Sequence, residues 1–125
     1  MTIQIDSLLR VILYVRDMNR MVRFYRDSLG LQLRTPRGLE DFGGAMWVEF
    51  DTGACTLALH GGGEGRTGPT PPELVFRVSD AAVARQALVD VGLEMGPLRE
   101  LETGDYLCSG RDPEGHPFSL ESRKD

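Results

Sequence analysis

Apolar and polar positions alternate along this chain in two rhythms, and the whole pattern occurs twice. The segment Val11-Ile12-Leu13-Tyr14-Val15-Arg16-Asp17 reads as a strand ending on an aspartate, and Leu74-Val75-Phe76-Arg77-Val78-Ser79-Asp80 repeats it. After Asp17, the apolar residues Met18, Met21, Val22, Phe24, Tyr25 and Leu29 follow helical spacing and stop at Gly30. After Asp80, Val83, Ala84, Ala87, Leu88 and Val91 do the same and stop at Gly92. Each aspartate suits a helix N-cap, because its carboxylate accepts the free N–H groups of the first turn. Each glycine suits the position just past a helix, where positive φ is needed. Asp17 to Asp80 is 63 residues and Gly30 to Gly92 is 62, so the two copies keep register through the helix.

Further strands complete each copy. Leu31-Gln32-Leu33 and Leu93-Glu94-Met95 open one strand apiece. Ala45 to Phe50 and Cys55 to His60 form a hairpin around Asp51-Thr52-Gly53-Ala54. Tyr106 to Ser109 and Pro117 to Ser122 flank Asp112-Pro113-Glu114-Gly115. Each copy is therefore a βαβββ module, the first over residues 5–60 and the second over 73–122. Residues 61–72 hold five Gly and three Pro and read as the linker within a single domain of 1–125. The Gly61-Gly62-Gly63 run lacks the Gly-Lys-Ser/Thr that would make it a phosphate loop. A βαβββ unit covers one sheet face with its helix and leaves the other bare. The expected fold is α+β: two modules forming a curved mixed sheet around a central cavity, where a ligand would go.

Strand alternation sorts side chains between helix and cavity. Val11, Leu13 and Val15 belong to the helix side, which turns Arg10, Ile12 and Tyr14 inward. A two-residue turn at Thr52-Gly53 would pair Glu49 with Thr56 and Trp47 with Ala58, placing Trp47, Glu49, Thr56, Ala58 and His60 in the cavity. In the second copy Glu73, Val75 and Arg77 face inward, with Ser119 and Glu121 from the last strand. A dry core does not hold this many charges. The cavity is either wet and occupied by a ligand, or crossed by internal ion pairs such as Arg10–Glu73.

Composition narrows the partners. In 125 residues, 14 Lys+Arg stand against 19 Asp+Glu, a net charge of −5. That balance removes the basic footprint of a nucleic-acid binder. The longest apolar run, Val11 to Val15, is far too short to span a membrane. Residues 1–6 lack the basic flank and apolar stretch of a secretion signal, so a cytoplasmic protein is expected. Cys55 and Cys108 have no metal-binding or redox spacing and read as small buried apolar residues.

Three segments resemble the glyoxalase/bleomycin-resistance/dioxygenase (vicinal oxygen chelate) superfamily. They are Val15-Arg16-Asp17, Phe24-Tyr25-Arg26-Asp27-Ser28-Leu29-Gly30-Leu31 and Asp112-Pro113-Glu114-Gly115-His116. The likeness covers residues 5 to 122 roughly, and it implies a small organic ligand between the halves and a homodimer. In several members the two halves of one cavity come from different chains. Metal-dependent members hold a divalent cation with His and Glu ligands. The resemblance lands those ligands on Arg10, Thr56, Glu73 and Ser119. Only Glu73 ligates well. A guanidinium offers donors alone, and its repulsion of a divalent ion is roughly twice the ~4 kcal/mol between unit charges about 4 Å apart at intermediate dielectric. No metal and no other cofactor is therefore expected. His60 and Glu73 with Glu49 or Glu121 form the alternative, shifted site. His116, in its turn, reads as structural.

The first functional expectation is a metal-independent small-molecule-binding protein. Its ligand would be held by Arg10, Tyr14, Trp47, Glu49, Thr56, His60, Arg77, Ser119 and Glu121. The alternative is a lyase or dioxygenase-like enzyme, with Glu73 or His60 as general base and Arg10 stabilising an enolate. A ligand-free interaction domain is the third.

Overall fold

Both strand-ending aspartates cap the helix that follows. Asp17 Oδ1 accepts from Arg20 N and Asp80 Oδ1 from Val83 N, each at 3.1 Å. Gly30 and Gly92 close the helical segments with φ of 73° and 93°, a region that favours glycine. A computed structural model describes residue 4 and residues 7–124. The expectation of no secretion signal in residues 1–6, and the first two residues of the 5–60 module, therefore lie outside the described residues, apart from residue 4.

The chain divides into two compact units, the second beginning at Gly65. The first holds β1 (Arg10–Val15), α1 (Met18–Val22), β2 (Gln32–Thr35), β3 (Trp47–Asp51) and β4 (Thr56–Gly61). The second holds β5 (Leu74–Arg77), α2 (Ala81–Asp90), β6 (Arg99–Glu100), β7 (Tyr106–Arg111) and β8 (Pro117–Ser122). Each unit has its own four-stranded sheet, ordered β1-β4-β3-β2 and β5-β8-β7-β6. The first pair of each is parallel and the other two antiparallel. The class is α+β, built from two βαβββ modules. Among the described residues no helix is long and apolar enough to cross a membrane.

In the first unit α1 runs directly into a π-helical segment, Arg23–Ser28. The wider turn, sealed by Leu29 N to Phe24 O at 3.0 Å, puts Phe24 and Tyr25 inside together. Their rings meet edge-to-face at 4.9 Å, and Tyr25 reaches Phe50 of β3 at 6.2 Å. Met21, Val22, Val48, Leu57 and Leu59 complete a core in which every one of these residues is buried. The second unit buries fewer apolar side chains. Of α2, only Ala81 and Leu88 are buried, over Phe118, Leu120 and Cys108.

Several expectations change. The hairpin loop is four residues, not two, so Glu49 pairs with Ala58 and Trp47 with His60. The Thr52 hydroxyl donates to the Cys55 carbonyl, closing the longer turn at 2.5 Å. A slip of two residues preserves which face each side chain takes, and only the neighbours change. The strand expected to begin at Leu93-Glu94-Met95 makes a single bridge there, from Met95 to Gly110. Regular pairing resumes at β6, because Pro97 has no N–H to give a ladder. On α2 the apolar spacing does not mark a buried stripe: Val83 and Val91 are exposed. The glycine run also belongs partly to the sheet. Gly61 is the last residue of β4, and Gly63 N donates to Val15 O at 2.9 Å. A Cβ on Gly63 would stand 2.7 Å from the Tyr14 and Val15 backbone, so only glycine fits.

Candidate functional site

Each sheet turns one face to its helix and the other away. On the first sheet, register and alternation gather Arg10, Ile12 and Tyr14 of β1, Thr56, Ala58 and His60 of β4, and Trp47 and Glu49 of β3 on the face away from α1. Tyr14 and Ile12 are exposed there, at 59% and 41% of their surface, although both are largely apolar. Ala58 sits between Ile12 and Glu49 in register and is buried, a small side chain at the floor of the face.

The chemistry on this floor is interlocked. Trp47 Nε1 donates to Glu49 Oε2 at 2.7 Å, which fixes the indole. The His60 ring lies 4.9 Å from Tyr14 and meets Trp47 edge-on at 5.9 Å. His60 Nδ1 is 2.5 Å from the Gly61 carbonyl oxygen. A carbonyl only accepts, so Nδ1 carries a proton, and in the matching neutral tautomer the lone pair is on Nε2. The Arg10 guanidinium stands over the Trp47 ring, 5.6 Å from its centre. Such a contact is worth about 0.5–2 kcal/mol. Arg10 Nε is buried and donates to no group among the described residues. A buried donor left unmade costs about 1–3 kcal/mol.

On the second sheet the face away from α2 differs in kind. Val75 and Arg77 of β5 stand beside Ser119 and Glu121 of β8, and Ser109 and Leu107 of β7 follow. Ser119 is fully buried and its hydroxyl bonds that of Ser109 at 2.7 Å. Ser109 also lines an open recess of about 420 Å³ with Glu94, Met95, Gly96, Gly110 and Arg111. Glu73 precedes β5 and is exposed. Of the residues singled out from sequence, the first unit thus gathers Arg10, Tyr14, Trp47, Glu49, Thr56 and His60. The second gathers Arg77, Ser119 and Glu121, with Glu73 adjoining. Ser109 was missed. The antiparallel register across from Ser119 is the signal that finds it.

The positions that would hold a family-type cation do not fit one. Arg10 offers donors only and lies on an indole. Thr56 is buried with its hydroxyl directed to the Leu9 carbonyl at 3.5 Å. The Ser119 hydroxyl is engaged with Ser109. Among the described residues, no three of His, Cys, Asp and Glu gather as a ligand set.

Several other titratable groups serve the scaffold. In the Asp112-Pro113-Glu114-Gly115-His116 turn, buried Asp112 accepts from the Glu114 and His116 backbone N–H groups, each at 2.9 Å, and from His116 Nδ1 at 2.7 Å. Burial pushes the Cys108 thiol up, against the opposing charge of Arg85 and a backbone hydrogen bond at Leu120. Asn19 ties down the loop before β3. Its oxygen accepts from Phe42 N at 2.7 Å and its amide donates to Asp41 at 2.8 Å. That amide and the Gly43 N–H hold the Asp41 carboxyl below its ordinary range, with a small opposing effect of desolvation.

Comparison with known proteins agrees with the fold. The sequence model of the family described as "Glyoxalase-like domain" matches residues 10–121. No curated protein sequence matches the chain. Among solved structures it resembles TnmS3, an antibiotic binding protein from Streptomyces sp. CB03234, with a TM-score of 0.79 at 16% identity over 98% of this chain and 100% of that one. A protein of unknown function from Agrobacterium tumefaciens str. C58 is 30% identical, with a TM-score of 0.71 over 98% of each chain. A lactoylglutathione lyase from Agrobacterium tumefaciens is 19% identical, with a TM-score of 0.71 over 93% of this chain and 92% of the other.

Proposed function

The chain belongs to the glyoxalase-like domain family, and from that membership we propose that it binds a planar aromatic small molecule on the first unit's exposed sheet face, without a metal. The observation that carries this reading is the contiguous cluster of Tyr14, His60, Trp47 and Arg10. Aromatic rings presented with their faces partly open supply stacking area, worth about 0.5–1.5 kcal/mol per pair beyond burial. The hydrogen bond from Trp47 to Glu49 holds the indole in place before any ligand arrives, which lowers the ordering cost of binding. The fold is compatible with such a role, since TnmS3, of the same fold, is an antibiotic binding protein.

Trp47 is the only tryptophan, so its fluorescence reports on this face alone. Titration with a panel of planar aromatic compounds should give saturable quenching by at least one of them. Tyr14→Ala should weaken that binding by about tenfold, or ~1.4 kcal/mol. A panel that gives no saturable signal by fluorescence or calorimetry overturns the reading.

One observation favours a second reading, a lyase or dioxygenase-like enzyme. With Nδ1 donating to Gly61, His60 presents Nε2 as a base on the same face. Glu73, on the second unit, is the other candidate base of this reading. Exchange of an acidic C–H proton of a bound carbonyl compound for deuterium, abolished in His60→Gln, is the result that selects it. The proposal further takes the protein as a cytoplasmic homodimer, which sedimentation at micromolar concentration and cell fractionation test directly.

A further inference from the structure

We propose that the ligand of the first unit's face carries a carboxylate beside its aromatic ring and that Arg10 grips it; this rests on the reading that the face binds a planar aromatic molecule. Three observations lead there. First, Arg10 Nε is buried and donates to nothing among the described residues. Three other arginines do spend donors within their own unit. Arg85 Nε gives to the Gly96 carbonyl at 2.7 Å, Arg26 pairs with Asp27 at 2.8 Å, and Arg111 gives to the Gly115 carbonyl at 2.9 Å.

Second, the contact that positions Arg10 consumes none of its hydrogens. The guanidinium is held by the face of Trp47 at 5.6 Å, an attraction between cation and ring that leaves the planar fork of N–H groups unspent. Third, the carboxylate standing on the same face is diverted. Glu49 accepts the Trp47 indole N–H at 2.7 Å, and no ion pair joins it to Arg10. The face thus keeps a fixed cation and commits its own carboxylate to orienting the ring beneath that cation.

The group that satisfies such a fork is a planar pair of acceptor oxygens. A carboxylate takes two N–H groups from the outer, Nη1/Nη2 edge of the guanidinium together, in two parallel charge-assisted bonds, with the buried Nε behind them. A neutral amide or ester of the same size offers one acceptor of lower charge. The ring attached to the carboxylate then lies against Trp47, Tyr14 and His60, so one molecule meets both halves of the cluster.

The test is a matched pair of probes, 2-naphthoate and 2-naphthamide, titrated calorimetrically into the whole protein and into Arg10→Met and Arg10→Lys. The acid should bind at least about tenfold more tightly than the amide. Arg10→Met should weaken the acid alone and erase the difference, while Arg10→Lys, a cation without the fork, should recover only part of it. Equal binding of acid and amide to the native protein overturns the inference and leaves the platform standing. A preference for the acid that survives in Arg10→Met also overturns it. Failure of both probes to bind at millimolar concentration removes the platform and the inference with it. Should Arg10→Met fail to fold, Arg10→Lys decides: an acid-to-amide ratio there equal to that of the native protein overturns the inference.

Discussion

The two units share a backbone plan and differ in almost everything mounted on it. Each begins with a strand followed within three residues by an Asp, caps its helix with that Asp and leaves the helix through a positive-φ glycine. Yet the first unit buries Met21, Val22, Phe24 and Tyr25 from its helical segment, whereas α2 of the second buries only Ala81 and Leu88. On the faces away from the helices, one carries an aromatic and cationic cluster and the other a pair of bonded serines. The signals that direct the chain, namely caps, glycines and strand alternation, act through the backbone and survive duplication. Side-chain chemistry on a face without a helix is free to diverge, because nothing in the βαβββ plan depends on it.

That contrast can be broken where it is strongest. Phe50→Ala removes a fully buried ring from the first core and should cost about 3–5 kcal/mol by urea denaturation. Leu88→Ala on α2 should fall near the lower end of the range for such truncations, about 2 kcal/mol. Equal losses would mean the two cores do not differ in packing. The turns give a second contrast. Asp112→Ala strands two backbone N–H groups and an imidazole in a buried turn and should cost about 2–3 kcal/mol. Asp51→Ala frees only the exposed Gly53 N–H and should cost less than about 1 kcal/mol.

A third pair should show no contrast at all. Asp17→Ala and Asp80→Ala each remove one cap with the same 3.1 Å geometry, and each should cost about 1 kcal/mol in thermal melts. A clear inequality would show that the caps have diverged along with the faces. The smallest effect lies in pH. Asp41 has its carboxyl lowered, chiefly by the Asn19 amide. A carboxyl lowered in the folded state contributes stability that is complete above its unfolded value and is lost as pH falls through the folded one. Stability should therefore decline slightly on acidification below the ordinary carboxylate range, and Asn19→Ala should flatten that decline in melts run across the acid limb.

How much of this was legible beforehand follows from range. Asp17, Gly30, Asp80 and Gly92 act on residues three or four positions away, and their roles were readable directly. Face assignment in the hairpin held, because alternation has a period of two and the true register differs by two. Its partners did not, since Thr52 closing on the Cys55 carbonyl is a feature of loop geometry. The helical spacing of Val83 to Val91 placed a helix after Asp80, and α2 forms there, yet Val83 and Val91 are exposed, because a periodic stripe says which residues lie together and not how much of the stripe a sheet covers.

By itself, the sequence determined the duplication, the α+β class and the set of side chains that each strand turns away from its helix, since all of these rest on local periodicity and backbone chemistry. Only the tertiary structure decided that Arg10 comes to rest on Trp47, that Glu49 is spent on the indole N–H and that Ser119 is spent on Ser109. Those pairings depend on strand register and on side-chain reach across neighbouring strands, and strands far apart in the chain become neighbours only when the sheet forms.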